Sequence, residues 1–420
     1  MAEIRPFYGI RPSREKASRV AALPYDVYSR GEAKKEVERE PLSFLRVDRA
    51  EINFPETVDT YDPRVYEKAR EILHGMLEDG TLLQEQEACY YLYELTREGR
   101  VQTGILACAA VDDFLNRVIK KHENTRPEKE KDRICHVDVT NAQTGPIFLA
   151  YRARKAIRDL SASVRAGEPL YDFTAPDGVR HRVFRVADPE AVRTITAEME
   201  QVSSLYIADG HHRAASAVEV GLMRRKRKPD YDGSEEFNYV LSILFPDDEL
   251  RILPYNRAVA DLNGLSPQEF LRRVGEHFSV EEIGPAQEID RKEKTPAKKG
   301  EIDMLLDGIW YRLEAGAEIA SADPVKGLDV SLLQDWILHP VLGINDPRTS
   351  RRIVFIGGVR GTEELERRTA EDMRVAFSMY PTSLDELFAV ADAGRLMPPK
   401  STWFEPKPRS GLLIHALGPI

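Results

Sequence analysis

The sequence predicts a mixed α/β fold of the α+β kind, and three observations carry that expectation. Apolar residues recur with a period of two in some stretches and of 3.6 in others, and the two kinds interleave along the chain. One continuous apolar run, "NYVLSILFP", has the length and composition of a strand covered on both faces. No repeat of solenoid length is present. Such a chain builds layers in which helices and sheet cover one another.

The elements follow in order. Ser29 is placed as the N-cap of a helix with Ala33 and Val37 turned inward. Tyr61 to Asp79 is the clearest helix: Tyr66, Ala69, Ile72, Leu73 and Met76 share one stripe, and Gly80 ends it. "ACYYLYELT" and "VQTGILACAAV" read as a hairpin turned at "REGR". "PIFLAYRA" is a third apolar strand, and "VRHRVFRVA" alternates as a half-buried one. "DPEAVRTITAEMEQV" opens on an acidic cap and continues as a helix. "SSLYIA" is a short strand, followed by helical spacing at Ala214, Val218, Gly221 and Leu222. "AQEIDRKEKTPAKKGE" has the polarity of a solvated loop. Beyond it come a strand pair near Ile302 to Glu314, a helix in "VSLLQDWILHPVL", a strand "RIVFIGG", a helix from about Thr362 and a closing strand "SGLLIHAL". Three regions result: an N-terminal α/β segment over 1–85, a core over 86–260, and a C-terminal α/β region over 261–420 whose tail is placed to return to the site.

With 420 residues the chain has room for two or three domains. Acidic residues exceed basic ones, 70 to 60, and the charge of −10 speaks against nucleic acid as a partner. The basic run "RRKRKP" falls at a helix end, where cations complement the dipole. No apolar run approaches the roughly 18–20 residues of a membrane span. "MAEIRPFYGIRPSREKA" lacks the apolar centre of a signal peptide, so a cytoplasmic protein is expected. Three cysteines without a Cys-x-x-Cys pair support neither a disulfide framework nor a zinc ribbon. Cys89 and Cys108 fall in apolar strands and are expected to be buried. Nothing in the sequence sets an oligomeric state.

The chemistry concentrates in "YIADGHHRAASA", Tyr206 to Ala217. It marks a strand-to-helix turn at Asp209-Gly210-His211-His212-Arg213. Gly210 permits a positive φ. The first amides of the new helix lack intrahelical partners, and the positive end of the dipole lies there, so the turn is an anion pocket before any side chain is counted. Arg213 adds a planar fork suited to phosphate or carboxylate, and His211 and His212 add donors or protons. The plainer alternative is that Asp209 caps the helix while the histidines pack. Adjacent histidines can also hold a metal, but no His-x-x-x-His spacing supplies a second ligand, so no protein-ligated metal is expected.

Four further stretches carry candidates. "IKKHENTRPEKEKDR" is a charged loop in which Glu123 stands beside His122, with Thr125, Arg126 and Lys129 following. A carboxylate near a phosphate pocket can act as a general base or hold Mg²⁺. "MPPKSTWFEPKPRSG" offers Lys400, Ser401 and Thr402 as phosphate contacts, or a proline-rich tail that packs over a domain. Tyr25 and Asp26 in "ALPYDVYS", and Asn141 in "TNAQTGPIF", suit substrate contacts as well as turns. There is no Gly-x-x-x-x-Gly-Lys-Ser/Thr loop and no Gly-x-Ser-x-Gly elbow.

"IRPFYGIRP", "VAALPYDVYS", "KHENT", "YIADGHHRAASA", "ILPYNRAV" and "MPPKSTWFEPKPRSGLLIHAL" together resemble the family known as domain of unknown function 1015. More widely, "DGHHRAASA" after a strand is similar to the phosphate-binding turn of the ParB/sulfiredoxin superfamily. That resemblance implies a ParB/sulfiredoxin-like core with a mixed sheet, elaborated by N- and C-terminal segments. The cysteine that sulfiredoxins carry in this turn is replaced by histidine, most simply His211, and no helix-turn-helix of a DNA-reading ParB is evident. The free serine kinases of the superfamily use an Asp-Gly-His-His-Arg turn, which Asp209 to Arg213 match residue by residue, and an upstream glutamate as base, for which Glu123 is the candidate. The resemblance implies a phosphoryl-transfer enzyme taking a small hydroxylated metabolite, serine foremost, and a nucleotide, ADP or ATP with Mg²⁺. Phosphoserine phosphatase activity, with His211 or His212 as acid or nucleophile, and a non-catalytic nucleotide-binding regulator are the alternatives.

Overall fold

Two runs of strand-forming sequence build two separate sheets. The structure, a computed structural model, describes residues 1–125 and 127–419. The chain divides into one unit of residues 1–250 with 406–419 and a second unit of residues 251–405. Both are mixtures of helix and strand, as the two periodicities require.

The sheet of the first unit runs in the order Ile119–Lys120, Leu205–Asp209, Ile147–Tyr151, Tyr239–Pro246, Arg100–Ala110, Tyr90–Arg97, Arg180–Val186 and Tyr171–Thr174, with Ile4–Arg5 paired beside Arg100–Ala110. Tyr239–Pro246 is central. It lies parallel to Ile147–Tyr151 and antiparallel to Arg100–Ala110, which accounts for its unbroken apolar character. The "REGR" hairpin forms as expected, with Glu98 and Gly99 both at positive φ, 52° and 77°. Leu205–Asp209 is parallel to Ile119–Lys120 and antiparallel to Ile147–Tyr151, and its register shifts between Ile207 and Asp209. Such irregularities re-aim side chains at the end of a strand.

The predicted helices are present where a stripe or cap announced them. Ser29 closes a reciprocal capping box with Glu32 at the start of Arg30–Arg39. Asp62 caps Pro63–Glu78, whose buried stripe is Val65, Tyr66, Ala69, Ile72, Leu73 and Met76. With Phe44, Leu45 and Val47 this stripe forms a core distinct from the one under the sheet. Asp188 caps Pro189–Met199. Cys89 and Cys108 are buried, and all three cysteines are free thiols.

Three expectations are corrected. The charged stretch after Thr125 is not a loop: Pro127–Thr140 is a helix, with proline at its first position and Glu128 and Glu130 in its first turn, where acids suit the dipole. Its buried residues are Arg133, His136 and Thr140, and it packs on Pro63–Glu78 and His211–Arg227. "SGLLIHAL" forms strand only at His415–Ala416, paired with Ala142–Gln143, because Ile414 is tied separately to Ile10. "VSLLQDWILHPVL" begins as an α-helix, Asp329–Leu333, and widens into a π-turn over Gln334–Leu338 ahead of Pro340. The polar stretch after Ala286 is turn and coil, mostly exposed as expected, and within it Lys294 is buried, its Nζ donating to the Ala286 carbonyl at 2.5 Å and pairing with Glu366 at 2.8 Å.

The second unit is a six-stranded antiparallel sheet in the order Phe278–Pro285, Ile309–Ala315, Glu301–Leu306, Val375–Met379, Tyr255–Val259 and Ile353–Gly357. Ala258, Leu305, Trp310, Ile356, Leu365 and Ala376 form its core. Among the described residues no helix is long and apolar enough to cross a membrane. The basic run at the end of His211–Arg227 is met by acids: Arg224 and Arg227 by Asp138, Arg225 by Asp112 and Lys228 by Glu235.

Candidate functional site

Ile119–Lys120 and Leu205–Asp209 are neighbours and run the same way, so their carboxyl ends emerge side by side. Such edges are where α/β sheets present ligand sites. One strand delivers His122 and Glu123. The other delivers Asp209, Gly210 and the 17-residue helix His211–Arg227. Residues about 90 positions apart in the chain are thereby brought to one place.

Gly210 is the N-cap residue, at φ 90° and ψ 32°. This left-handed conformation costs an L-residue roughly 1–2 kcal/mol and glycine nothing. A Cβ there would also stand 3.1 Å from Arg213 Nη2. Gly210 has no side chain with which to cap the helix start, where the positive end of the dipole lies.

One donor atom each from His122, Glu123 and His211 lies within 4.8 Å of the others. The two imidazoles meet edge to face, with centroids 4.5 Å apart and planes at 89°. Both are buried, at 1% and 7% exposure. Burial brings the His122 pKa down to about 4, against the opposing pull of its bond to the Ile207 backbone and of Asp209. Burial, then the neighbouring His122, puts His211 well below its ordinary value. Both rings are neutral at pH 7. His212 and Glu123 are half-buried.

Asp209 is not a helix cap. Its Oδ1 accepts from Lys407 Nζ at 3.1 Å and its Oδ2 from Arg213 Nη2 at 3.0 Å. Desolvation works against its charged form, but Lys407 and then Arg213 outweigh it and hold the carboxyl below the usual carboxylate range. Arg213 Nη1 donates to the Pro146 carbonyl at 2.6 Å. Arg213 therefore braces the turn with two nitrogens while its side chain lines a cleft with Tyr25, Asp48, Arg133, His136, Thr144, Gly145 and Ser410. An adjoining cleft shares Tyr25, Asp48, Arg133 and His136 and adds Asp26, Lys129 and Asp132. The Arg133 guanidinium lies 4.1 Å from the Tyr25 ring centroid, and burial pushes the Tyr25 pKa up to about 12.

The remaining candidates are placed as follows. Thr125 Oγ1 donates to Glu130 at 2.6 Å. Asn141 sits at φ 56°, accepts from Arg224 at 2.6 Å and donates to the Pro419 carbonyl at 3.0 Å, so its side chain serves a turn. Lys400, Ser401 and Thr402 belong to the second unit. There Lys400 Nζ lies 5.6 Å from the Tyr255 ring centroid, and Ser401 Oγ donates to the Pro398 carbonyl at 2.7 Å. Arg126 lies outside the described residues.

A family model described as "Protein of unknown function (DUF1015)" matches residues 4–331. The chain belongs to the DUF1015 family. No curated protein matches it. Among solved structures this DUF1015 member is similar to a free serine kinase in complex with AMP, at 14% identity and a TM-score of 0.34, over 73% of this chain and 92% of that one. It is also similar to a mutant free serine kinase in complex with ADP, at 15% identity and a TM-score of 0.35, with the same coverage. A third similar structure is SbnI with C-terminal truncation from Staphylococcus aureus, at 14% identity and a TM-score of 0.39, over 72% and 84% of the two chains. Likeness at this distance assigns neither activity nor ligand to the DUF1015 chain.

Sequence reading missed Lys407, Asp48 and Arg133. Lys407 stands between Pro406 and Pro408 in the tail segment that drew attention to Lys400, and that rigid setting was its only signal. Arg133 and Asp48 carry none, since one lies within a charged run and the other at the end of a four-residue helix.

Proposed function

We propose that the chain transfers a phosphoryl group between a nucleotide, ADP or ATP, and the hydroxyl of a small metabolite, with serine the favoured candidate. The observation that carries this reading is the convergence of a glycine-led helix start at Gly210 with the His122–Glu123 pair at one sheet edge. The leading amides of the helix hold the transferring phosphate. Arg213, braced by Asp209 and Pro146, keeps the turn in the shape that aims them. Glu123 takes the hydroxyl proton as the substrate oxygen bonds to phosphorus and the bond from phosphorus to the nucleotide oxygen breaks. Mg²⁺ carried in on the nucleotide supplies charge neutralisation. The match of Asp209 to Arg213 to the free serine kinase turn supports serine as the acceptor.

The test is calorimetric titration with ADP and ATP, together with phosphorus NMR of mixtures containing serine. Nucleotide binding and phosphoserine formation are expected. Glu123→Gln should lower kcat about 10²–10⁴-fold, the usual worth of a general base, with nucleotide affinity retained. Arg213→Ala should lose both. Nucleotide binding without turnover on any small alcohol sinks the proposal, and release of phosphate from phosphoserine without nucleotide would reassign the site to hydrolysis.

A further inference from the structure

Two imidazoles and a carboxylate meet where two parallel strands end, and the geometry asks more of them than proton transfer. His211 is 7% exposed, and its Nε2 is buried with no hydrogen-bond partner among the described residues. A buried nitrogen left that way costs about 1–3 kcal/mol and asks for an explanation. His122 is 1% exposed and bonds to the backbone of Ile207 in the sense that favours the protonated ring. The ring is thus the donor and a carbonyl the acceptor. That bond fixes the tautomer, which makes the other ring nitrogen the lone-pair nitrogen. Metal-bound histidines are oriented in this way by an outer partner.

We propose that His122, Glu123 and His211 form a three-ligand site for a divalent transition-metal ion of the zinc–cobalt class, with its remaining position open. Two imidazole nitrogens and one carboxylate oxygen are a donor set of catalytic zinc sites. Mg²⁺ prefers oxygen ligands throughout, so the site differs from that of a nucleotide's own cation. Donors on a tetrahedron of 2.0–2.2 Å bonds stand about 3.4 Å apart, so the present separations, all within 4.8 Å, close by roughly 1 Å on binding. The spacing rule that found no second ligand in the sequence looks along one helix. Here the ligands come from two strand ends, joined by the pairing of Leu205 with Ile119.

The inference deepens the proposed function and rests on that reading for its chemistry. With a metal ion in place, Glu123 ligates through one carboxylate oxygen and keeps the other to take the proton of a hydroxyl that the ion, at its open position, makes more acidic.

The full chain, stripped with chelator, would be titrated with Co²⁺ alone, followed by visible ligand-field absorption and equilibrium dialysis. One Co²⁺ per chain is expected. His122→Ala and His211→Ala should each weaken binding roughly 100-fold or more, beyond the 10–100-fold that loss of an outer partner costs. His339→Ala, in the second unit, should leave binding unchanged. Should an alanine variant fail to fold by circular dichroism, His122→Gln and His211→Gln carry the same test. Absence of saturable binding, or uptake that survives loss of either histidine, overturns the site. Co²⁺ uptake in a chain that transfers no phosphate keeps the site and removes the functional reading. Phosphoryl transfer by chelated protein with Mg²⁺ alone, and no Co²⁺ uptake, does the reverse.

Discussion

The first unit buries histidines and the second does not. In the first, His122, His136, His181, His211 and His415 are all buried, and desolvation lowers the pKa of each. In the second, the buried acids Asp303 and Asp329 are raised by desolvation, Asp329 to about 6. The difference teaches that the units should answer acid oppositely. His181, lowered to about 3, binds no proton in the native state over a range where the unfolded ring, near 6.5, does. Its stabilisation is complete above pH 6.5 and is lost as pH falls toward 3. Asp329 keeps its proton in the native state up to about pH 6, whereas the unfolded carboxyl releases it near 3.8. Its stabilisation is complete below 3.8 and is lost as pH rises through 6. Asp113 and Glu249, also raised by burial, run against the histidines within the first unit.

The largest expected effect is therefore acid loosening confined to the first unit. Between pH 7 and pH 4, His181 alone should cost the first unit on the order of 3–4 kcal/mol. Segment-resolved hydrogen exchange, corrected for intrinsic rate, should show Arg180–Val186 opening while Glu301–Leu306 holds. Parallel loss in both would break the comparison. Next in size, Asp329→Asn should stabilise the second unit at pH 7 by about 1–3 kcal/mol and remove its dependence between pH 4 and 6. All three tryptophans, Trp310, Trp336 and Trp403, lie in this unit, so their fluorescence in a urea series reads it alone. An unmoved midpoint would show that the carboxylate is not strained. Gly210→Ala should cost the first unit about 1–2 kcal/mol through its positive φ and weaken phosphate binding through displaced Arg213. Both are read by far-ultraviolet dichroism melts and calorimetry. The smallest effect is Ser29→Ala, which opens the capping box at a cost of about 1 kcal/mol and should leave the tryptophan transition where it was.

What the sequence disclosed was whatever is local. The stripe from Tyr66 to Met76 and the caps at Ser29 and Asp188 are decided by neighbours within four residues. Pro127–Thr140 escaped notice because the groups it buries are Arg133, His136 and Thr140, so no apolar period marks it. The site was legible as residue types and not as an assembly. His122 meets His211 through a two-residue strand, Ile119–Lys120, too short for any pattern. Asp209 looks like a cap because Asp-Gly before a helix usually supplies one. Only the fold reveals that its oxygens are taken by Lys407 and Arg213.

That last pairing has a consequence in time. Lys407 lies 198 residues beyond Asp209, and the entire second unit is synthesised between them. At roughly 5–20 residues per second on the ribosome, the aspartate waits about 10–40 s for its lysine. During that interval Arg213 already stands beside Asp209 and Lys407 does not. The nascent turn is therefore a weaker receptor for anions than the finished one, and it gains its full character only when the tail threads home.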